Sequence, residues 1–275
     1  MAESHRSDRD LCLGLLTLVL AAPLSGCGRD AEEEFAEAVV ASSLQTEQNE
    51  KAGVVIVDTV RNECVDDPAT TAAAVAERPP VGIYPDDCVS KSAEGANLHV
   101  DFAGCTGPFG RVALAGGVDA TFTVTGECQL HVDVEDSGNL TANGRDLAYQ
   151  AAADVVLRPN ERDVTWHASF ETTNRNDATV RQSSDLDVVV DLGTDCRDIV
   201  GALRGQVGDR RYQATIDSLV ICPERCPGPG RVEAQIEGEQ RDRTLNVRFD
   251  GSNRAQVTGW SGREFEVDLV CGEDE

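Results

Sequence analysis

From Asp87 onward the hydrophobic period changes to two, and this period limits the fold more than any other feature of the chain. Leu98, Val100 and Phe102 fall on one side of an extended segment, with Asn97, His99 and Asp101 on the other. Successive side chains of a strand point to opposite faces, so the alternation describes a sheet buried on one face and wet on the other. A helix would need its apolar residues three or four apart. The same period returns at Leu130, Val132 and Val134, at Val164, Trp166, Ala168 and Phe170, and at Leu186, Val188 and Val190. The stretch from Val112 to Val124 also alternates, with a bulge or bend expected at Gly116-Gly117. Further candidate strands cover 212–221, 231–237, 244–249, 254–260 and 264–270. Turn signals such as Asn143-Gly144, Gly208-Asp209 and Asp250-Gly251 separate them. The expected fold is mainly β: an antiparallel, hairpin-rich meander forming a curled sheet or sandwich, after a short helical preface.

The preface begins behind a different kind of signal. Leu24-Ser25-Gly26-Cys27 follows an apolar run from Leu11 to Ala22. A run of that length suits the hydrophobic region of a signal peptide and falls short of the ~20 residues that span a bilayer. The four residues resemble the lipobox of bacterial lipoproteins. That resemblance implies cleavage before Cys27, a diacylglycerol thioether on its thiol, and acylation of the new amine, for instance with palmitate. It also implies an envelope location, with Gly28 favouring the outer membrane over the inner. Met1 to Asp10 departs from the basic start of that family, since Glu3, Asp8 and Asp10 offset Arg6 and Arg9. The chain then divides into a signal peptide (1–26), a lipid-anchored tether and helical preface (27–84), an antiparallel β domain (85–271) and an acidic tail (272–275). Within the preface a helix is expected from Asp30, where Phe35, Val39, Val40 and Leu44 share a face. Gly53 to Val60 is a β-branched run of ambiguous type, and its proximity to that helical pattern and to the Ala-rich 69–77 leaves room for a second short helix.

Removal of Cys12 with the signal and lipidation of Cys27 leave eight cysteines, an even set that reads as up to four disulfides in an exported protein. Residues facing each other across a hairpin share a midpoint at its turn. The midpoint of Cys196 and Cys222 is residue 209, inside Gly208-Asp209, so these two are expected to pair. Cys88 and Cys105 centre within two residues of Glu94-Gly95 and form a second expected pair. Cys226 and Cys271 bracket the last four-strand meander, which returns its end to its start, and Cys64–Cys128 remains by elimination. Exchange of partners between Cys222 and Cys226 is the alternative. A zinc site at Cys222 and Cys226 lacks a second close pair, so neither metal nor cofactor is expected.

The formal net charge of −25 argues against nucleic acid and points instead to envelope proteins or cationic ligands as partners besides the membrane. With 4% aromatic residues the core must be largely aliphatic, and Trp166 and Trp260 are expected in it. Three histidines follow the signal: His99, His131 and His167. Each lies out of phase with the apolar face, so exposure is expected. No Gly-x-Ser-x-Gly elbow accompanies them. Asp133 to Gly138 imitates the first half of a calcium loop but has Gly144 where a bidentate Glu is needed. Asp185, Asp187 and Asp191 share one strand face, which reads as wet sheet surface. The segment from Val100 to Gly110, with Cys105-Thr106-Gly107-Pro108, resembles a recurrent element of uncharacterised β-rich secreted lipoproteins. So do Cys226-Pro227, Phe249-Asp250-Gly251 and the final Cys271. The resemblance implies compartment and β architecture and brings no activity. The expected function is a non-enzymatic envelope lipoprotein, a structural or binding module. The alternatives are a carrier of an apolar ligand such as lipid in a curled-sheet groove, and an unrecognised hydrolase.

Overall fold

A computed structural model describes residues 64, 67–79, 85–106, 113–173, 177–207, 210–222, 226–236 and 243–269. The lipobox with Cys27, the expected helix from Asp30, Cys271 and the acidic tail lie outside these residues. The architecture is mainly antiparallel β, as one open sheet, with one short helix among the described residues. The strands are β1 (Val89–Glu94), β2 (Asn97–Thr106), β3 (Ala113–Gly126), β4 (Gln129–Asp136), β5 (Thr141–Ala142), β6 (Arg145–Asp146), β7 (Ala148–Leu157) and β8 (Glu161–Thr173). They continue as β9 (Thr179–Asp191), β10 (Arg197–Val207), β11 (Arg210–Ile221), β12 (Pro229–Ile236), β13 (Arg243–Asp250), β14 (Arg254–Thr258) and β15 (Glu264–Asp268). Neighbours in space follow chain order from β1 to β15, except that β5 and β6 form a small ribbon off β3. Asn143 and Gly144, at φ 53° and 73°, make the tight turn of that ribbon, where both central residues need positive φ.

The two-residue period becomes burial directly. Leu98, Val100 and Phe102 of β2 are 1%, 0% and 3% exposed, and the same face stays buried across the sheet to Val257 of β14 and Val267 of β15. These residues form one core cluster. Twist accumulates from strand to strand, so an open sheet this wide with a single buried face curls instead of lying flat. Trp166, 2% exposed, is the largest fully buried side chain, set between Ala153 of β7 and Leu186 of β9. Arg162 is also 2% exposed and lies in phase with Val164 and Trp166, a charged position within the inner face.

The preface contributes α1 (Pro68–Glu77). Asp67 caps it, accepting from the amides of Ala69 and Thr70, and Pro68 occupies the first turn, where its missing N–H costs nothing. Ala72 and Val75 bury the helix against the first strands. At its other end the Lys91 ammonium of β1 donates to the carbonyls of Val75 and Arg78, satisfying acceptors that a helix end leaves open. Burial brings that ammonium down to about 8.

Three of the expected disulfides are present, Cys64–Cys128, Cys88–Cys105 and Cys196–Cys222. Cys226 is also disulfide-bonded, and its expected partner Cys271 lies outside the described residues. Bulges set two of the bridges. In β2 the register shifts between Ala103 and Cys105 around Gly104, at φ 76°. That inserted residue turns Cys105 from the outer phase to the inner one, 1% exposed, where Cys88 meets it. In the β10–β11 pair a shift between Ile199 and Gly201 brings Cys196 opposite Cys222; without it Cys196 would face Ile221. Of the bulge or bend expected at Gly116-Gly117, the register shift itself falls on the opposed strand, at Gly104. Gly116, at φ 92°, instead marks where β3 changes partner from β4 to β5, and a Cβ there would strike the Asn139 carbonyl.

Candidate functional site

The outer face carries the chemistry. His99 of β2 lies directly opposite Asp119 of β3. Its Nδ1 is 2.7 Å from Asp119 Oδ1 and its Nε2 is 3.1 Å from Asp101 Oδ2, two residues along its own strand. His131 of β4 repeats the arrangement: Nδ1 is 2.7 Å from Asp154 Oδ1 on β7, and Nε2 is 3.2 Å from Asp133 Oδ1. A carboxylate only accepts, so both ring nitrogens must donate, which defines the imidazolium form. The opposed carboxylate is the main reason each ring is held above the ordinary histidine value: Asp119 for His99 and Asp154 for His131, with burial acting against it.

These pairs make stability depend on pH with a definite sign. A histidine whose folded value is raised contributes fully below its unfolded value, about 6.5, and loses that contribution as pH rises through the folded value. The melting temperature is expected to fall as pH rises past neutrality, and His99→Gln with His131→Gln should flatten that fall. An unchanged profile in the double variant would contradict the assignment.

His167 of β8 follows the pattern halfway. Its Nδ1 is 2.9 Å from Asp185 Oδ1 on the opposed β9, and Arg204 of β10 donates to the other oxygen at 2.7 Å. The imidazole and then the guanidinium hold Asp185 below the usual carboxylate range. Two residues along the strand, where His99 and His131 find aspartates, stands Ser169. Its hydroxyl and His167 Nε2 have no hydrogen-bond partner among the described residues.

Ser169 also floors a groove of about 580 Å³. Ser169 pairs with Ser183 across β8–β9, and these short side chains leave a depression between longer neighbours. Gln150 of β7 and Arg204 of β10 flank the serine row, while Arg181 and Arg211 stand in the next. Arg181 holds Glu171 through two bonds of 2.7 and 3.3 Å. Arg211 has no partner among the described residues. The groove thus gathers three arginines together with Asp136 and Glu171, and two of the arginines are already held by Glu171 and Asp185.

No family model matches this chain, and neither a curated protein nor a solved structure is similar to it.

Most acidic residues singled out in the sequence have local duties. Asp133 serves His131. Asp136 accepts from the amides of Gly138 and Tyr149. Asp187 accepts from Thr165, and Asp191 caps a turn at Gly193 and Thr194. Asn139 accepts from Gly117 N–H and Ser137 Oγ. Among the described residues no three His, Cys, Asp or Glu side chains form a metal-ligand set. In the histidine pairs the ring stands between its carboxylates, so the donors do not converge on one point. Cys222 and Cys226 are both in disulfides. Trp166 is core as expected, and Trp260 packs partly buried with the Arg243 guanidinium 5.0 Å from its ring centre.

The histidine pairs and the groove were not anticipated from the sequence. A signal for the first exists: Leu98-His99-Val100-Asp101 and Leu130-His131-Val132-Asp133 are the same tetrapeptide with one histidine and one aspartate in outer phase. The arginines of the groove stand on separate strands, and only the register brings them together.

Proposed function

We propose that this chain is a cell-envelope lipoprotein, held to the membrane by lipid on Cys27 and serving as a non-enzymatic binding module. The observation that carries the export half is the set of disulfides in the β domain. Such bonds persist in oxidising compartments and are rare in the cytosol. The lipobox resemblance of Leu24 to Cys27 supplies the anchor, the preface holds the sheet away from the lipid, and the outer membrane is the favoured site. An outward-facing groove with many polar and charged residues in its lining supports binding as the role. An apolar-ligand carrier would instead bury most of its ligand in an apolar cavity.

Replacing Cys27 with Ala and fractionating cells tests this reading. The protein is expected to move from the membrane pellet to the soluble fraction. Unchanged membrane association would overturn it.

A further inference from the structure

Two valines stand out on the outer face of β9 and β10. Val189 and Val200 are 42% and 38% exposed, the large apolar side chains that remain exposed among the described residues. The register pairs Val189 with Asp198 and Val200 with Asp187. The four exposed side chains form a square, with valines on one diagonal and aspartates on the other. The carboxylates around the square have cations of the chain's own. Arg158 reaches Asp163 at 2.6 Å, Arg204 reaches Asp185 at 2.7 Å, and Arg231 lies 3.8 Å from Asp217. Asp191, further along β9, holds the amides of Gly193 and Thr194. Asp187 and Asp198 accept from hydroxyls alone, those of Thr165 and Ser218. A hydroxyl bond leaves the carboxylate charge uncompensated. The two aspartates that flank the exposed valines therefore have no cation among the described residues.

We infer that this square docks an extended basic segment of a partner protein, one with two arginine or lysine side chains two residues apart. Diagonal neighbours of an antiparallel pair lie about 7–8 Å apart, which sets the separation of Asp187 and Asp198. Residues i and i+2 of an extended segment share a face and stand about 7 Å apart, so their charged heads reach one aspartate each. The methylene stems of those side chains lie along Val189 and Val200, the way long cationic side chains cover apolar surface. Charge selects this occupant over the others. A second copy carries the same net charge of −25, and a nucleic acid or an anionic lipid surface is repelled for the same reason. None of the four residues lines the groove, so this docking surface is independent of the binding role read from it.

The test titrates the isotope-labelled mature protein, as Cys27→Ala to keep it in solution, with the peptide Gly-Arg-Ser-Arg-Gly and follows amide chemical shifts. Saturable shifts centred on Val189, Asp198 and Val200 are expected. Asp187→Asn with Asp198→Asn should weaken binding about three- to tenfold. Val189→Ser with Val200→Ser leaves the charge unchanged and should weaken it about twofold or more. Gly-Arg-Ser-Ser-Arg-Gly, with its arginines three residues apart, should bind less tightly than the first peptide. Absence of saturable binding overturns the proposal. So does binding unchanged by the valine substitutions, equal binding of the two peptides, or shifts spread over the acidic outer face of β2 to β7, since each means attraction to net charge alone. The comparison of peptides uses no substitution in the square, so it does not depend on how any variant there folds. The result is also independent of where the protein is anchored, because the anchor is absent from every arm.

Discussion

Trp166→Ala is expected to destabilise the domain by about 3–5 kcal/mol, the range for truncating a large buried aromatic. The side chain is 2% exposed and stands over Ala153 and next to Leu186. With an alanine as its neighbour on β7, little adjacent bulk is at hand to fill the volume. Its indole Nε1 is buried with no hydrogen-bond partner among the described residues. An orphaned buried N–H is itself a cost, about 1–3 kcal/mol, so Trp166→Phe removes volume and a penalty together. Urea unfolding should therefore show a large drop in midpoint for Trp166→Ala and a much smaller one for Trp166→Phe. Equal losses would mean that the indole is satisfied or that the site collapses.

The second large effect belongs to Cys64–Cys128. This bridge closes a loop of sequence separation 64 and ties the chain before α1 to the turn between β3 and β4. By the chain-entropy relation a loop of that size is worth about 4 kcal/mol, against about 3 kcal/mol for Cys88–Cys105 with its separation of 17. Replacing both cysteines of a bridge with serine and comparing unfolding midpoints tests the order. The longer loop should cost more. A midpoint unchanged by loss of Cys64–Cys128 would show that the preface adds nothing to the stability of the sheet.

The sheet was legible because its signal is local. The alternation at Leu98-Val100-Phe102 or Leu130-Val132-Val134 fixes which face is buried before any partner strand is known. The same periodicity placed β11 to β15 close to their observed bounds. The Cys196–Cys222 pair was legible from a turn midpoint, although the one-residue shift at Ile199 and Gly201 that makes it fit was not. Bulges escape such reading because one inserted residue flips parity, and Gly104 resembles any other strand glycine until its φ is known. Arg162 escaped for a related reason: it is a charged residue in the apolar phase of β8. The groove escaped most completely. Ser169, Arg204 and Arg211 sit on β8, β10 and β11, and only the register across β8 to β11 brings them to one groove. The histidines were half legible: their outer-face placement followed from phase, although His99 and His131 are half-buried and only His167 is exposed, while the opposed carboxylates at Nδ1 followed from the cross-strand partners.

The proposed anchor on Cys27 would decide where all of this operates. Protein extracted from the membrane fraction and measured by intact mass should begin at Cys27 and carry the mass of a diacylglycerol thioether with an added amide-linked acyl chain. A free Cys27 thiol in a chain that still begins at Met1 would contradict the account.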